Sequence, residues 1–192
     1  MSDVKSVMIV GVGGQGTLRA SRVLGRVLME KGFDVKLSEV HGMAQRGGSV
    51  VTYVKYGKKV YSPIIEKGEA DVILSFELCE GARWISYLKK GGKMIINGQK
   101  TLPLPVITGA AEYPADVVEK IRGLGADITE IDALGIAEKA GSAKAVNIVL
   151  LGVLSRALDF DEKAWADAIA ASVPEKALEM NLRAFKMGQD VM

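Results

Sequence analysis

Two glycine-framed clusters hold the residues in this sequence best suited to chemistry. The first, Gly11-Val-Gly-Gly-Gln-Gly16, matches G-x-G-x-x-G at Gly11, Gly13 and Gly16, with Gly14 and Gln15 filling the turn. Glycines there let a backbone approach phosphate closely, and a helix beginning after the turn offers free N–H groups and the positive end of its dipole. Glu39 follows at roughly the 20-residue spacing of a dinucleotide fingerprint. The second cluster, His41-Gly-Met-Ala-Gln-Arg-Gly-Gly48, brings together an imidazole, the Gln45 carboxamide and the Arg46 guanidinium among glycines. Arg46 is suited to a bidentate contact with a carboxylate or phosphate, and Gly47 and Gly48 would let that ligand lie against the backbone. Two blander roles stay open. Arg46 can cap helix carbonyls or pair with Glu39, and His41 can hold a structural hydrogen bond as readily as assist a proton transfer.

The elements that must position these clusters follow from periodicity. Residues 5–10 are a short apolar run, the glycine turn comes next, and Leu18, Val23, Leu24, Val27 and Leu28 then recur at helical spacing up to about residue 31, with Gly32 as the C-terminal cap. Residues 34–40 predict a second strand. Residues 49–56 alternate and, with a turn at Gly57-Lys58, predict a β-hairpin closed by residues 59–62. Further strands are expected at 71–76, 93–97 and 127–131, and helices at 77–90, 115–124, 144–158 and 161–171. A last helix is opened by Ser172-Val-Pro-Glu175 with capping-box spacing. The segment 144–158 is apolar nearly all round, which implies burial between layers or at a subunit contact. Strands alternating with helices give an α/β class, a three-layer α/β/α domain on a mostly parallel, Rossmann-like sheet interrupted by a β-hairpin. Residues 1–192 are expected to form a single domain.

Composition narrows the function. The 192 residues are 48% hydrophobic and 25% charged, enough to bury a core. The net charge of +2 is spread without runs, which gives no support for nucleic-acid binding. No segment approaches a membrane span or a signal peptide, so a soluble cytoplasmic protein is expected. Cys79 is the one cysteine, so the chain has neither an internal disulfide nor thiolate ligands for a metal cluster, and no metal site is expected. With one histidine there is little general acid–base equipment. Arg19, Arg22 and Arg26 share a helix face that is expected to be a solvated stripe. Cys79 and Trp84 are expected to be packing residues.

An NAD- or FAD-binding protein is one candidate, but the second strand feeds a loop and hairpin where a mononucleotide-binding fold would have a crossover helix. Gly14 and Gln15 suggest close approach of backbone or a partner, and ribose recognition leaves the His41–Gly48 loop unused. A tight turn with no ligand also stays open, as does a non-catalytic interaction module.

Together the two loops resemble the gamma-type domain of 2-oxoacid:ferredoxin oxidoreductases. The stretch Ser38-Glu-Val-His-Gly-Met-Ala-Gln-Arg-Gly-Gly-Ser-Val50 is similar to the indolepyruvate branch in particular, and Lys144-Ala-Val-Asn147 with Leu151-Gly152 is similar to a later family helix. The resemblance implies a small subunit, inactive alone, that helps complete the site where a 2-oxoacid is decarboxylated and its acyl group passed to coenzyme A. Thiamine diphosphate and four-iron clusters would belong to a larger alpha partner, with ferredoxin taking the electrons and no cofactor bound by this chain alone. Arg46 and His41 would then be the catalytic candidates. Gly11, Gly13, Gly14, Gln15, Gly16, Gln45, Gly47, Gly48 and Asn147 would be the binding candidates. A hetero-oligomer is implied, with a homodimer as an option for the isolated chain.

Overall fold

The computed structural model describes residues 4–42 and 47–191. Its elements are β1 (Lys5–Val12), α1 (Thr17–Glu30), β2 (Asp34–His41), β3 (Ser49–Gly57), β4 (Ala70–Ser75), α2 (Leu78–Trp84), β5 (Leu88–Asn97), α3 (Leu104–Ile107), α4 (Val117–Gly123), β6 (Asp127–Ile131), α5 (Ala133–Ala140), α6 (Val146–Ala157), α7 (Glu162–Ala170) and α8 (Leu178–Gln189). The six strands form one sheet in the order β2-β3-β1-β4-β5-β6. β1, β4, β5 and β6 run parallel, and β3 is antiparallel to both of its neighbours, β1 and β2. Among the described residues β3 is therefore the only reversed strand, and the three-layer, mostly parallel class expected from the sequence is what the chain adopts.

Alternation along the strands feeds two cores. Val7, Ile9, Val54, Leu74 and Ile95 point to one face, beneath α1, α5, α6, α7 and α8. Met8, Val10, Tyr53, Ile73 and Met94 point to the other, beneath α2 and α4. Burying a side chain of this size contributes about 1.5–3 kcal/mol. The apolar segment at 144–158 is explained by position: Asn147 through Ser155 of α6 are all buried, enclosed by the sheet, α8 and α5.

The hairpin differs from expectation. β3 does not turn back on residues 59–62; its hairpin partner is β2, and its other edge fills the place beside β1. Gly57-Lys58 lacks the Asn-Gly or Asp-Gly chemistry of a two-residue turn. The Asp34 carboxylate instead accepts the Val60 N–H at 2.9 Å, drawing the chain across the end of β2, and Val60 and Ile65 sink into the protein.

Two helix boundaries also move. The helix expected at 77–90 ends at Trp84, and Gly91 and Gly92 fall inside β5. Gly92 is needed there because a Cβ would meet the Ala70 and Asp71 carbonyls at 3.0 Å. The capping box at Ser172 does not form: the Ser172 hydroxyl donates back to the Ala168 carbonyl at 2.7 Å, closing α7, and α8 begins only at Leu178.

Far from the loops, Phe33, Tyr56 and Phe160 meet edge to face with centroids 5.3–6.3 Å apart. Burial, with a smaller contribution from Asp71, pushes the Tyr56 phenol up to about 12. An acid whose folded pKa is raised stabilises the fold below its unfolded value of about 10 and loses that contribution as pH rises toward the folded one. A tyrosinate absorbance step near pH 12 is therefore expected in the native protein and should be lost in Tyr56→Phe, whereas in urea all five tyrosines should titrate together near pH 10.

Candidate functional site

The glycine turn and the described ends of the second cluster, His41-Gly42 and Gly47-Gly48, lie at the carboxyl ends of β1 and β2, where open α/β sheets bind ligands. The glycine turn leaves β1, and the second loop joins β2 to β3. Two backbone hydrogen bonds connect them: Gly13 N–H donates to the Gly48 carbonyl at 2.8 Å, and Gly47 N–H to the Gly13 carbonyl at 3.2 Å. Residues far apart in sequence thus make one surface, continuous through Ser49 with β3.

Within the first turn the glycines do different work. A Cβ at Gly11 would stand 2.8 Å from Gln15 Oε1 and 2.9 Å from the Phe76 Cβ, so Gly11 is required by packing. Gly14 and Gly16 have φ of 105° and 88°, the left-handed region that disfavours side chains. Gln15 faces inward: Oε1 accepts the Val12 N–H at 2.8 Å and Nε2 donates to the Phe76 carbonyl at 3.3 Å. It holds the turn's shape.

Gly16 is also the N-cap of α1, with no side-chain cap and no acidic residue in the first turn. The helix therefore presents its leading N–H groups and positive dipole end uncompensated. Beside it stands Asn147, 4% exposed, whose Nδ2 lies 3.5 Å from where a Gly16 Cβ would be. Its carboxamide makes no hydrogen bond among the described residues and borders the cleft, where it is open to a ligand.

Gly14, Gln15, Gly16 and Asn147 open into a cleft of about 1660 Å³ that runs along α1. Arg19, Arg22, Arg26 and Lys144 line it. The arginines are exposed, as a solvated stripe would be, yet they form a wall of the cleft that the glycine turn heads. Their i, i+3, i+7 spacing was the visible signal, although nothing in the sequence showed that a cleft lay against that face.

His41 is exposed at the end of β2, with Nδ1 3.0 Å from the Gly42 carbonyl, and no contact joins it to the cleft among the described residues. Gln45 and Arg46 lie outside the described residues. Glu39 is in contact with the Thr52 hydroxyl at 3.4 Å. Because β3 separates β2 from β1, Glu39 is carried about 10 Å from the strand that bears the glycine turn, two strand spacings, where a dinucleotide fold sets the acid on the adjacent strand. The G-x-G-x-x-G match therefore lacks its ribose-binding partner.

Two buried carboxylates behind the loops had little sequence signal beyond an acid at the end of an apolar strand. Glu77 caps α2 through the Glu80 N–H at 2.9 Å and also accepts from Thr101 N–H at 3.1 Å and the Tyr113 hydroxyl at 2.5 Å. It thereby ties both ends of the segment after β5. Burial, the Cys79 thiol and Glu77 hold the Tyr113 phenol well above its ordinary range. Glu80 accepts from the Ser49 hydroxyl at 2.5 Å and Arg83 Nε at 3.1 Å. Among the described residues no group of three or more His, Cys, Asp or Glu is placed to hold a metal, and no helix is long and apolar enough to cross a membrane.

Known proteins resemble this chain in sequence and in fold. The pyruvate ferredoxin/flavodoxin oxidoreductase family model matches residues 6–191. The indolepyruvate oxidoreductase subunit IorB of Thermococcus kodakarensis is 43% identical over 188 residues, covering 95% of this chain and 93% of that one. The IorB subunit of Pyrococcus horikoshii is 40% identical over 190 residues, covering 95% and 93%. Among solved structures, the pyruvate oxidoreductase subunit PORC of Thermotoga maritima shares the fold with a TM-score of 0.77 at 20% identity, covering 98% of this chain and 97% of that one.

Proposed function

The chain belongs to the pyruvate ferredoxin/flavodoxin oxidoreductase family, and from that premise we propose that it is the small subunit of a ferredoxin-dependent 2-oxoacid oxidoreductase acting on aryl pyruvates, indolepyruvate above all. The substrate is suggested by the names of the relatives at 43% and 40% identity. Residues 1–192 would act as one gamma-type unit of a cytoplasmic hetero-oligomer. In the complex a 2-oxoacid and coenzyme A become an acyl thioester and carbon dioxide, and two electrons leave singly to ferredoxin. Four-iron clusters need more thiolates than the single Cys79, and the sequence has no Gly-Asp-Gly segment of the kind that holds thiamine diphosphate. Both would then be held by the larger partner.

The observation that carries the proposal is the cleft along α1, because its features suit an elongated polyanion such as coenzyme A. The uncapped α1 N-terminus and the free Asn147 amide would meet one end of the ligand. Arg19, Arg22 and Arg26 follow along about 10 Å of helix axis and would meet phosphates. Gly13, Gly14 and Gly16 supply a surface that backbone or ligand can approach closely, and Gly47 and Gly48, which follow Arg46 in sequence, are bonded to it. Arg46 would neutralise a substrate carboxylate or a coenzyme A phosphate. His41 would be held near the partner's reacting centre, where a proton can be moved.

The test is coenzyme A binding to the complex by calorimetry, across salt concentrations. Arg22→Gln and Arg26→Gln together should weaken binding about tenfold at low salt and flatten its salt dependence. Unchanged affinity and salt slope would remove the cleft from the coenzyme A path.

A further inference from the structure

We infer that Glu80 is a positioning residue that sets, through Ser49, the geometry of the junction between Gly13 of the glycine turn and Gly47-Gly48. Glu80 is 4% exposed, a poor place for a carboxylate unless it is well bound. It is not needed as the cap of α2, since Glu77 serves there. Its contacts run the other way: Oε2 takes the Ser49 hydroxyl at 2.5 Å, and Oε1 takes Arg83 Nε at 3.1 Å. Arg83 is 60% exposed, so the carboxylate is held from the surface on one side and holds the start of β3 on the other.

Ser49 is the residue after Gly48, whose carbonyl receives the Gly13 N–H, while Gly47 N–H returns to the Gly13 carbonyl. One hydroxyl hydrogen bond, a single peptide link and a reciprocal pair of backbone bonds therefore connect Glu80 to the glycine turn. The β1–β3 ladder sets the register up to Val12 and Ser49, and beyond it the glycines at 13, 47 and 48 leave the bridge without side chains to stiffen it, so its geometry is sensitive to what pins Ser49. Ser49 is also paired with Val12 in the β1–β3 ladder and Gln15 braces the turn from within, so the Glu80 contact adds to a frame already present and fixes its last residue. The consequence for turnover rests on the proposed subunit role.

The test is amide hydrogen exchange by NMR on the full chain, which needs no activity. In Ser49→Ala and in Glu80→Ala alike, the Gly13 and Gly47 amides should exchange about tenfold faster. Phe76 N–H, bonded to the Val10 carbonyl at 2.8 Å on the same strand ends, should be unchanged. The double variant should be no faster than either single one, because both break the same link. Glu80→Gln keeps an oxygen for Ser49 and should stay near wild type. Effects of Ser49→Ala and Glu80→Ala that multiply, uniform acceleration of all amides, or an unchanged Gly13 would each overturn the assignment. If Glu80→Ala does not fold, Ser49→Ala and Glu80→Gln compared at Gly13 decide it. In the complex, indolepyruvate-dependent viologen reduction should then show a higher KM for coenzyme A in Ser49→Ala. A wild-type complex without that activity would refute the subunit role and leave the exchange result standing.

Discussion

Gly152→Ala is expected to destabilise the chain by about 3 kcal/mol, at the upper end of what overpacking costs. α6 and α8 cross with glycine against glycine. A Cβ on Gly152 would lie 2.1 Å from the Phe185 carbonyl oxygen, and one on Gly188 would lie 2.2 Å from the Val149 carbonyl oxygen. The obstacles are backbone atoms, so no rotamer change relieves them, and the helices must move apart. α6 is buried from Asn147 to Ser155, and separation would open the core on that face of the sheet. The urea midpoint of unfolding should fall steeply for Gly152→Ala or Gly188→Ala, with an unchanged slope. Gly123→Ala, whose added Cβ meets nothing within 4 Å, is the control and should move it little. Equal midpoints for all three would mean that the helix crossing is not the constraint.

Asn147→Asp is expected to weaken coenzyme A binding by the complex about a hundredfold while leaving the fold intact. The change is nearly isosteric, so Gly16 still meets the same shape, but it places a carboxylate where the α1 N-terminus and the arginines otherwise present positive charge. Like charge at a nearly buried position repels an anionic ligand by a few kcal/mol, about 1.4 for each tenfold. The new carboxylate would also cap α1, so thermal stability should hold or rise slightly. Calorimetry for affinity and thermal unfolding for stability separate the two effects. Loss of stability without loss of affinity would assign Asn147 to packing alone.

Much of the frame was legible because it is written locally. The apolar run to Val10, the glycine turn and the helical spacing from Leu18 to Leu28 determine β1 and α1 without reference to the rest of the chain. The pairing of β3 was not legible. Its alternation fits a hairpin with any neighbour, and the choice of β1 and β2 over residues 59–62 depends on the Asp34 contact with Val60 and on core burial. Gly91-Gly92 looked like a helix end because glycine marks both caps and close approaches, and only the Ala70 and Asp71 carbonyls decide between them.

The site divided in the same way. Its glycines and Asn147 were visible as motif residues, and the structure brings them together. That Gln15 faces inward, that three arginines border a cleft and that Glu80 reaches Ser49 are tertiary facts with no local signature. The turn also looked like a dinucleotide site until the strand order separated Glu39 from it.

The most direct test of the subunit role is to express the chain with the proposed larger, thiamine-binding subunit, purify the pair through a tag on this chain, and assay indolepyruvate-dependent viologen reduction with and without coenzyme A. The expected result is a brown complex whose coenzyme A-dependent activity disappears when this chain is withheld and returns when it is added. A colourless chain that purifies alone, with the large subunit equally active in its absence, would contradict the role proposed for it.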